Sequence, residues 1–425
     1  MNLITVKLKM IKVTQLMTLK TTLLISLLIS NVANADLTTK GVIDASLIHN
    51  ETPEPWLNAW LENGVGVHRY DDEITAVLNH ALLEIDYELT NNLSFFTVAQ
   101  YTPDGDTHLG VNEAYIKYKP LTHKIKHEWK LGYFYPQFSL ENSDIGWTSP
   151  YTFNFSSINS WVAEEVRPLG IEWQVKRPGR AHNSNFTFTG VVSAYVQNDG
   201  IASLLAWRGW AIHNRQSLIG EKVRFANYFQ FQPIEAPNPT YVDINDETDH
   251  RIGYYAGLHV QYQRKTDLRA YYYDNNADPL SIESDMQYGW DTQFFSLALL
   301  HKFNREFRLL AQIMTGKTKM GDVENGVFND FEAWYVMLNY KLAQHRYSIR
   351  HDAFRVIDTD KNEFDPNSSA GKSVTLSYRY EYNDNWQLGT ELTITTSNNT
   401  NRTLWLNWTP KHTQKSFALT AQYRF

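Results

Sequence analysis

Along residues 415–425 hydrophobic and polar positions alternate, with Phe417, Leu419, Ala421, Tyr423 and Phe425 on one face and Ser416, Ala418, Thr420, Gln422 and Arg424 on the other. A period of two with one apolar face predicts a strand set between lipid and a wet lumen. The pattern recurs upstream, where Val77, Ala81, Leu83, Ile85, Tyr87 and Leu89 oppose Leu78, His80, Leu82, Glu84, Asp86 and Glu88. Thr90-Asn91-Asn92 then turns the chain into a strand at 93–101, and similar tight hairpins are predicted at 263–268, 303–307, 342–347 and 382–386. Between them lie longer polar connections at 50–75, 139–168, 198–220, 233–249, 276–288, 317–329, 356–370 and 397–415. Alternately short and long connections predict an all-β fold, a transmembrane antiparallel β-barrel with short periplasmic turns and long external loops.

Parity sets the expected count. If Phe425 lies on the side of the short turns, 397–415 must be an external loop, although Leu404-Trp405-Leu406 looks strand-like. By the same logic 198–220 must hide a strand, around 203–212. That predicts eighteen strands, with sixteen as the alternative, because SLLAWRGW at 203–210 reads equally as a short helix in a loop. No internal repeat or linker points to a second domain.

The other end carries Lys7, Lys9, Lys12 and Lys20, an apolar stretch at 21–30, and the small-residue site Ala33-Asn34-Ala35. This is the layout of a secretory signal peptide over 1–35, cleaved after Ala35, leaving one barrel domain over 36–425. Mean hydropathy is −0.43, and apart from the leader no apolar run approaches a helical membrane span. Yet Phe, Tyr and Trp number 21, 25 and 13, an excess that suits the aromatic girdles of a membrane barrel. Cysteine is absent, which removes thiolate chemistry of every kind. A formal charge of −7, more negative once the basic leader is removed, argues against nucleic acid as a partner.

Chemistry-bearing patterns are few. No H-E-x-x-H helix, G-x-S-x-G elbow or phosphate-cradling Gly loop occurs among the residues, so neither catalytic residue nor metal nor cofactor is assigned. His351-Asp352 and His301 are weak candidates for a barrel enzyme acting on lipid. Placing the apolar strand faces in lipid sends Arg224, Arg269, Arg308, Arg346, Arg350, Arg379 and Arg424 inward, with Glu381, Glu391, Gln230, Gln312 and Gln387, since Arg at the lipid midplane costs ~2 to 4 kcal/mol. Such a stripe reads as an anion path or, where Arg379 and Glu381 neutralise each other, as an ordinary solvated wall. The acidic stretches at 241–249 and 358–365 read as solvated loops, or as loops tying the barrel through divalent cations to lipopolysaccharide.

The least generic words fall between Tyr133 and Gly170. They are Ser139-Leu140-Glu141-Asn142, Gly146-Trp147-Thr148-Ser149-Pro150-Tyr151-Thr152, Ser157-Ile158-Asn159-Ser160-Trp161 and Glu164-Glu165-Val166-Arg167, joined near the end by Tyr378-Arg379-Tyr380 and Asn385-Trp386-Gln387-Leu388-Gly389. They resemble a family of porin-like outer-membrane proteins of Gram-negative bacteria, related to the phosphate-selective and other substrate-specific porins. The resemblance implies a passive pore in the outer membrane with a loop folded inward after the fifth strand. Glu141, Asp144, Trp147, Trp161, Glu164, Glu165 and Arg167 would then narrow the lumen. A loop of this length and aromaticity is more often functional than idle, although its aromatics could also pack as a lid without selectivity. The last strand, with Phe417, Leu419, Tyr423 and Phe425, is similar to the insertion signal of outer-membrane barrels, which implies the barrel-assembly machinery as a partner beside lipid and small solutes. Porins commonly form homotrimers, which no feature of this sequence decides. The rival readings are a lipid-modifying barrel enzyme and a non-conducting adhesive barrel.

Overall fold

The alternation read from the sequence becomes hydrogen-bonded pairing around a closed wall. A computed structural model of the chain describes residues 36–51, 66–70, 74–224, 239–363 and 365–425. The expected leader and Gln230 lie outside the described residues. The strands are β1 (Asp36–Glu51), β2 (Ile74–Thr90), β3 (Leu93–Tyr101), β4 (Leu109–Tyr118), β5 (Lys126–Tyr133), β6 (Leu169–Arg177), β7 (Phe186–Val196), β8 (Lys222–Arg224) and β9 (Tyr241–Asp243). They continue with β10 (Gly253–Tyr262), β11 (Thr266–Asp274), β12 (Asp291–Lys302), β13 (Phe307–Met320), β14 (Val327–Leu342), β15 (His345–Asp358), β16 (Ser369–Glu381), β17 (Trp386–Asn399) and β18 (Lys411–Arg424).

Among the described residues sixteen of these close an antiparallel barrel, β1 pairing with β18, and β8 and β9 form a separate ribbon. The expected eighteen-strand barrel is therefore corrected to sixteen. Two expected strands drop out together, which preserves parity. The segment around 203–212 is a short helix, Ser203–Arg208, and Arg224 stands on the ribbon rather than on the barrel wall. Its side chain is 62% exposed and pairs with Asp106 at 2.7 Å, so it lines no lumen. Leu404-Trp405-Leu406 falls in another short helix, Asn401–Leu406, within the last long connection.

The tight hairpins predicted at 263–268, 303–307, 342–347 and 382–386 all form, on the side where Gly41 and Phe425 exchange backbone hydrogen bonds. Outward positions are exposed and apolar, including Leu131, Leu258, Leu297, Ile313, Ile349, Leu376 and Leu419. Near the short turns they become aromatic, with Trp129, Phe186, Tyr262, Phe303, Tyr340, Tyr347, Tyr382 and Trp386 forming a girdle. An apolar band of this extent is far larger than the patches that water-soluble monomers expose, and it fits lipid. One predicted face breaks. A register shift between Asp44 and Ala45 makes Asn79 an extra residue on β2, so Val77 sits opposite inward Ser46, and Leu78 opposite outward Ala45.

Candidate functional site

The connection after β5 folds into the barrel. Arg350 on β15 is buried and organises it. Its Nη1 donates to Glu141 at 2.8 Å and to the Asn154 carbonyl at 2.8 Å, its Nη2 to the Phe155 carbonyl at 2.8 Å, and its Nε to Asp352 at 2.8 Å. Glu141 also accepts from the Ser156 amide at 3.1 Å and from Asn159 Nδ2 at 2.7 Å, while Asp352 accepts from the Ser157 amide at 3.0 Å. Lower on the same wall, Glu391 takes the Phe153 and Asn154 amides at 2.6 and 2.8 Å. Arg379 donates to the Thr152 carbonyl at 2.6 Å and lies 4.0 Å over the Phe153 ring. Arg269 donates to the carbonyls of Gln137 and Ser139 at 3.1 and 2.9 Å, and Arg424 pairs with Asp144. The inward arginines thus bind loop carbonyls and carboxylates, and most of the supposed anion path is an anchor.

Ser156 caps a helix, α1 (Ser157–Glu165), by accepting from the Asn159 amide at 3.3 Å. All nine residues of α1 are buried, because the barrel wall covers one side and a second inward segment the other. Trp161 lies edge-on to Phe294 and Trp210 at 5.4 and 5.7 Å, and Trp147 stacks on Tyr135 at 4.4 Å. The second segment carries α2 (Ser203–Arg208), whose Leu204 and Leu205 amides donate to Glu165 at 3.0 and 3.3 Å. Arg208 pairs with Glu164 at 2.8 Å, and Arg167 donates to Tyr135 Oη and Ser217 Oγ at 2.8 and 3.0 Å.

The adjacent carboxylates diverge. The Arg208 guanidinium and His213 hold Glu164 well below the usual carboxylate range against the cost of burial. Burial, with the negative Glu164 beside it, pushes Glu165 up to about 8. Between roughly pH 4.5 and 8 the folded chain therefore holds a proton on Glu165 that the unfolded chain releases, and stability falls as pH rises through that window. Glu165→Gln is expected to flatten this dependence, which thermal melts at pH 6 and pH 9 would read. A melt as pH-sensitive as the parent's would place the titration elsewhere.

The remaining predicted residues fall near the short-turn mouth. Glu381 pairs with Lys341 at 2.6 Å rather than with Arg379. Arg346 lies 5.3 Å over the Tyr151 ring and donates to Asn339 at 3.1 Å. Arg308, Arg264 and Lys302 surround, with Asp267, Tyr151 and Ser143, a cavity of about 320 Å³. His351 and Asp352 part company. The His351 ring meets outward Trp334 at 5.4 Å, whereas Asp352 turns inward to Arg350, so they form no catalytic pair. Sequence reasoning singles out Asp352 only as a weak catalytic candidate beside His351, not as the partner of Arg350 two residues away on the same strand face, and it passes over Arg208 and Arg69. Arg69 donates to Asp104 and Asn214 at 2.7 and 2.8 Å. The aromatic context of Arg208 was the available signal; Arg69 offered none.

No protein-family model and no curated protein sequence matches the chain. Solved structures do. The outer membrane channel DcaP of Acinetobacter baumannii aligns over 92% of this chain and 98% of its own, with 14% identity and a TM-score of 0.55. The loop L8 deletion mutant of OmpT, an outer membrane protein of Vibrio cholerae, aligns over 92% and 99% with 10% identity and a TM-score of 0.53. An anion-selective porin from Comamonas acidovorans aligns over 92% and 100% with 10% identity and a TM-score of 0.51. The chain thus shares the closed-barrel fold of porins.

Proposed function

We propose that this protein is a passive diffusion channel of the outer membrane for small polar solutes, with the segment 139–168 as its constriction. The observation that carries the reading is the inward segment, fixed to the wall by Arg350, Arg379 and Glu391 inside a barrel whose outer face is apolar. Such a loop sets the size limit of the lumen without any reaction. The likeness in fold to DcaP and to the Comamonas porin supports the channel, and the words around 139–168 support a place among the substrate-specific porins. The protein would be exported by its leader, inserted by the barrel-assembly machinery and seated beside lipopolysaccharide as one barrel domain. OmpT of V. cholerae has a trimer form, and the same assembly is expected here, read by crosslinking in native membranes.

Ion preference would rest on the mouth cavity, where Arg264, Lys302 and Arg308 face Asp267. Single-channel recording in a planar bilayer under a salt gradient tests both points. Discrete steps are expected, with a reversal potential favouring anions, and Arg308→Glu should reduce the anion-to-cation permeability ratio by about twofold or more. An unchanged reversal potential would show that current bypasses this cavity. Silence from folded protein would favour the non-conducting barrel, a reading supported by the deep burial of Arg350, Asp352 and Glu391 at mid-lumen.

A further inference from the structure

The connections on the side of Phe425 fall into two unlike sets. Those joining β4 to β5, β6 to β7, β10 to β11 and β12 to β13 are consecutive around the barrel, at 119–125, 178–185, 263–265 and 303–306. They carry Lys119, Lys124, Arg180, Arg264, Lys265 and Arg305 against a single acid, Glu306. Those joining β2 to β3, β14 to β15 and β16 to β17, at 91–92, 343–344 and 382–385, carry no cation and a single acid, Asp384. The basic turns also adjoin one another. The Gln263 amide donates to the Asn185 carbonyl at 2.9 Å, and the Lys302 amide to the Lys265 carbonyl at 2.8 Å. In a chain of formal charge −7 this is a continuous basic arc along one half of the periplasmic rim.

The fold does not neutralise this arc. Lys119 pairs with Glu128 at 2.8 Å, but among the described residues Lys124, Arg180, Arg264, Lys265 and Arg305 form no ion pair. Elsewhere on the same rim the cations are matched, Lys40 with Glu84, Lys341 with Glu381 and Arg424 with Asp144. Behind the arc Lys126 stands opposite Lys176 in register, and Lys302 opposite Arg308. Like charges placed directly across a strand pair oppose folding, so the arc gains from a counter-charge outside the chain. Each basic turn also lies beside the aromatic girdle. Trp129, Phe186, Tyr262 and Phe303 stand exposed on these four hairpins; Trp129 stacks on Trp173 at 5.1 Å, and Phe186 packs on Tyr262 at 4.9 Å. Such rings settle at the headgroup level of a bilayer, which puts the cations a few residues nearer the turn at the level of the lipid phosphates. Arg177, four residues beyond Trp173 on the same face, lies about 13 Å further along the strand.

We infer that the arc binds anionic phospholipid of the periplasmic leaflet, so that acidic lipid gathers along one half of the barrel. Guanidinium groups pair phosphate oxygens in a fork, and ammonium groups meet them as point charges. A headgroup with no amine of its own, as in phosphatidylglycerol, leaves its phosphate charge free for both. The girdle rings beside the arc cover the adjoining acyl chains, a task that an acidic protein approaching from the periplasm would not require. The inference needs only the membrane placement of the barrel and holds whether or not the barrel conducts.

The test reconstitutes the full barrel in phosphatidylcholine vesicles with a trace of spin-labelled phosphatidylglycerol or spin-labelled phosphatidylcholine, and electron paramagnetic resonance reads the fraction of each held at the protein surface. The parent is expected to prefer phosphatidylglycerol about threefold or more at low salt. Most of that preference should vanish at ~1 M salt, where the Debye length is about 3 Å. Combining Lys124→Gln, Arg180→Gln, Lys265→Gln and Arg305→Gln, all at exposed turn positions, should bring the ratio near one in a barrel that is still heat-modifiable. Lys40→Gln with Lys341→Gln, which removes matched cations from the other half of the rim, should leave the preference in place. A parent without preference would overturn the lipid site and leave the arc to an acidic periplasmic partner. A preference that survives in the arc variant, or that the control variant loses as fully, would overturn the arc as its seat. A parental preference unmoved by salt would overturn a site built on charge, whatever the fate of the variants.

Discussion

Replacing Arg350 by Met is expected to release the inward segment and widen the channel while leaving the barrel closed. The guanidinium is the shared partner of Glu141 and Asp352 and of two loop carbonyls, all in a buried site. Removing one member of such a group leaves two carboxylates facing each other without a counter-charge, a loss of about 3 to 5 kcal/mol. The wall itself does not depend on the contact, because β14, β15 and β16 are held by continuous backbone ladders. The variant should migrate as a folded barrel, conduct in larger steps and be cut by protease within 139–168. A variant with parental conductance and an uncut loop would mean that Glu391 and the aromatic packing of Trp161 suffice to hold the segment.

The same group shows what the sequence carried and where it fell silent. Strand periodicity placed Arg269, Arg308, Arg346, Arg350 and Arg379 on inward faces, because a charged side chain in lipid is too costly and the alternation is unambiguous. It said nothing of what each would meet. Arg350 and Glu141 lie 209 positions apart, and only closure of the barrel brings them together. The arginines thus read as pore lining are chiefly loop anchors, and the basic surface that remains is the small cavity near Arg308. Aromatic richness and length marked the segment from Ser139 to Pro168 as exceptional. Its partner α2 was ambiguous because SLLAWRGW is apolar at both helical and strand spacing. Lys222–Arg224 and Tyr241–Asp243 do pair as strands, yet β-propensity does not say which sheet a strand will join, and this misplaced Arg224.

Deleting Phe425 is expected to block assembly almost entirely, and the seam between β1 and β18 gives a reason that can be separated from recognition by the assembly machinery. The Gly41 amide donates to the Phe425 carbonyl at 2.9 Å, and the Phe425 amide donates back to the Gly41 carbonyl at 3.2 Å. The ring covers Gly41 so closely that a Cβ there would lie 2.2 Å from Phe425 Cζ. Glycine at 41 therefore leaves room for an aromatic that shields the strand junction from lipid, a cross-strand rescue of the missing side chain. Phe417, Leu419 and Tyr423 continue the same outward face along β18. If closure of this junction is what the residue supplies, Gly41→Val should mimic the deletion by displacing the ring, with both variants absent from the outer membrane as heat-modifiable barrels. If Phe425 serves only as a tag read before closure, Gly41→Val should assemble at the parental level while the deletion fails. Parental assembly of the deletion would dismiss both roles.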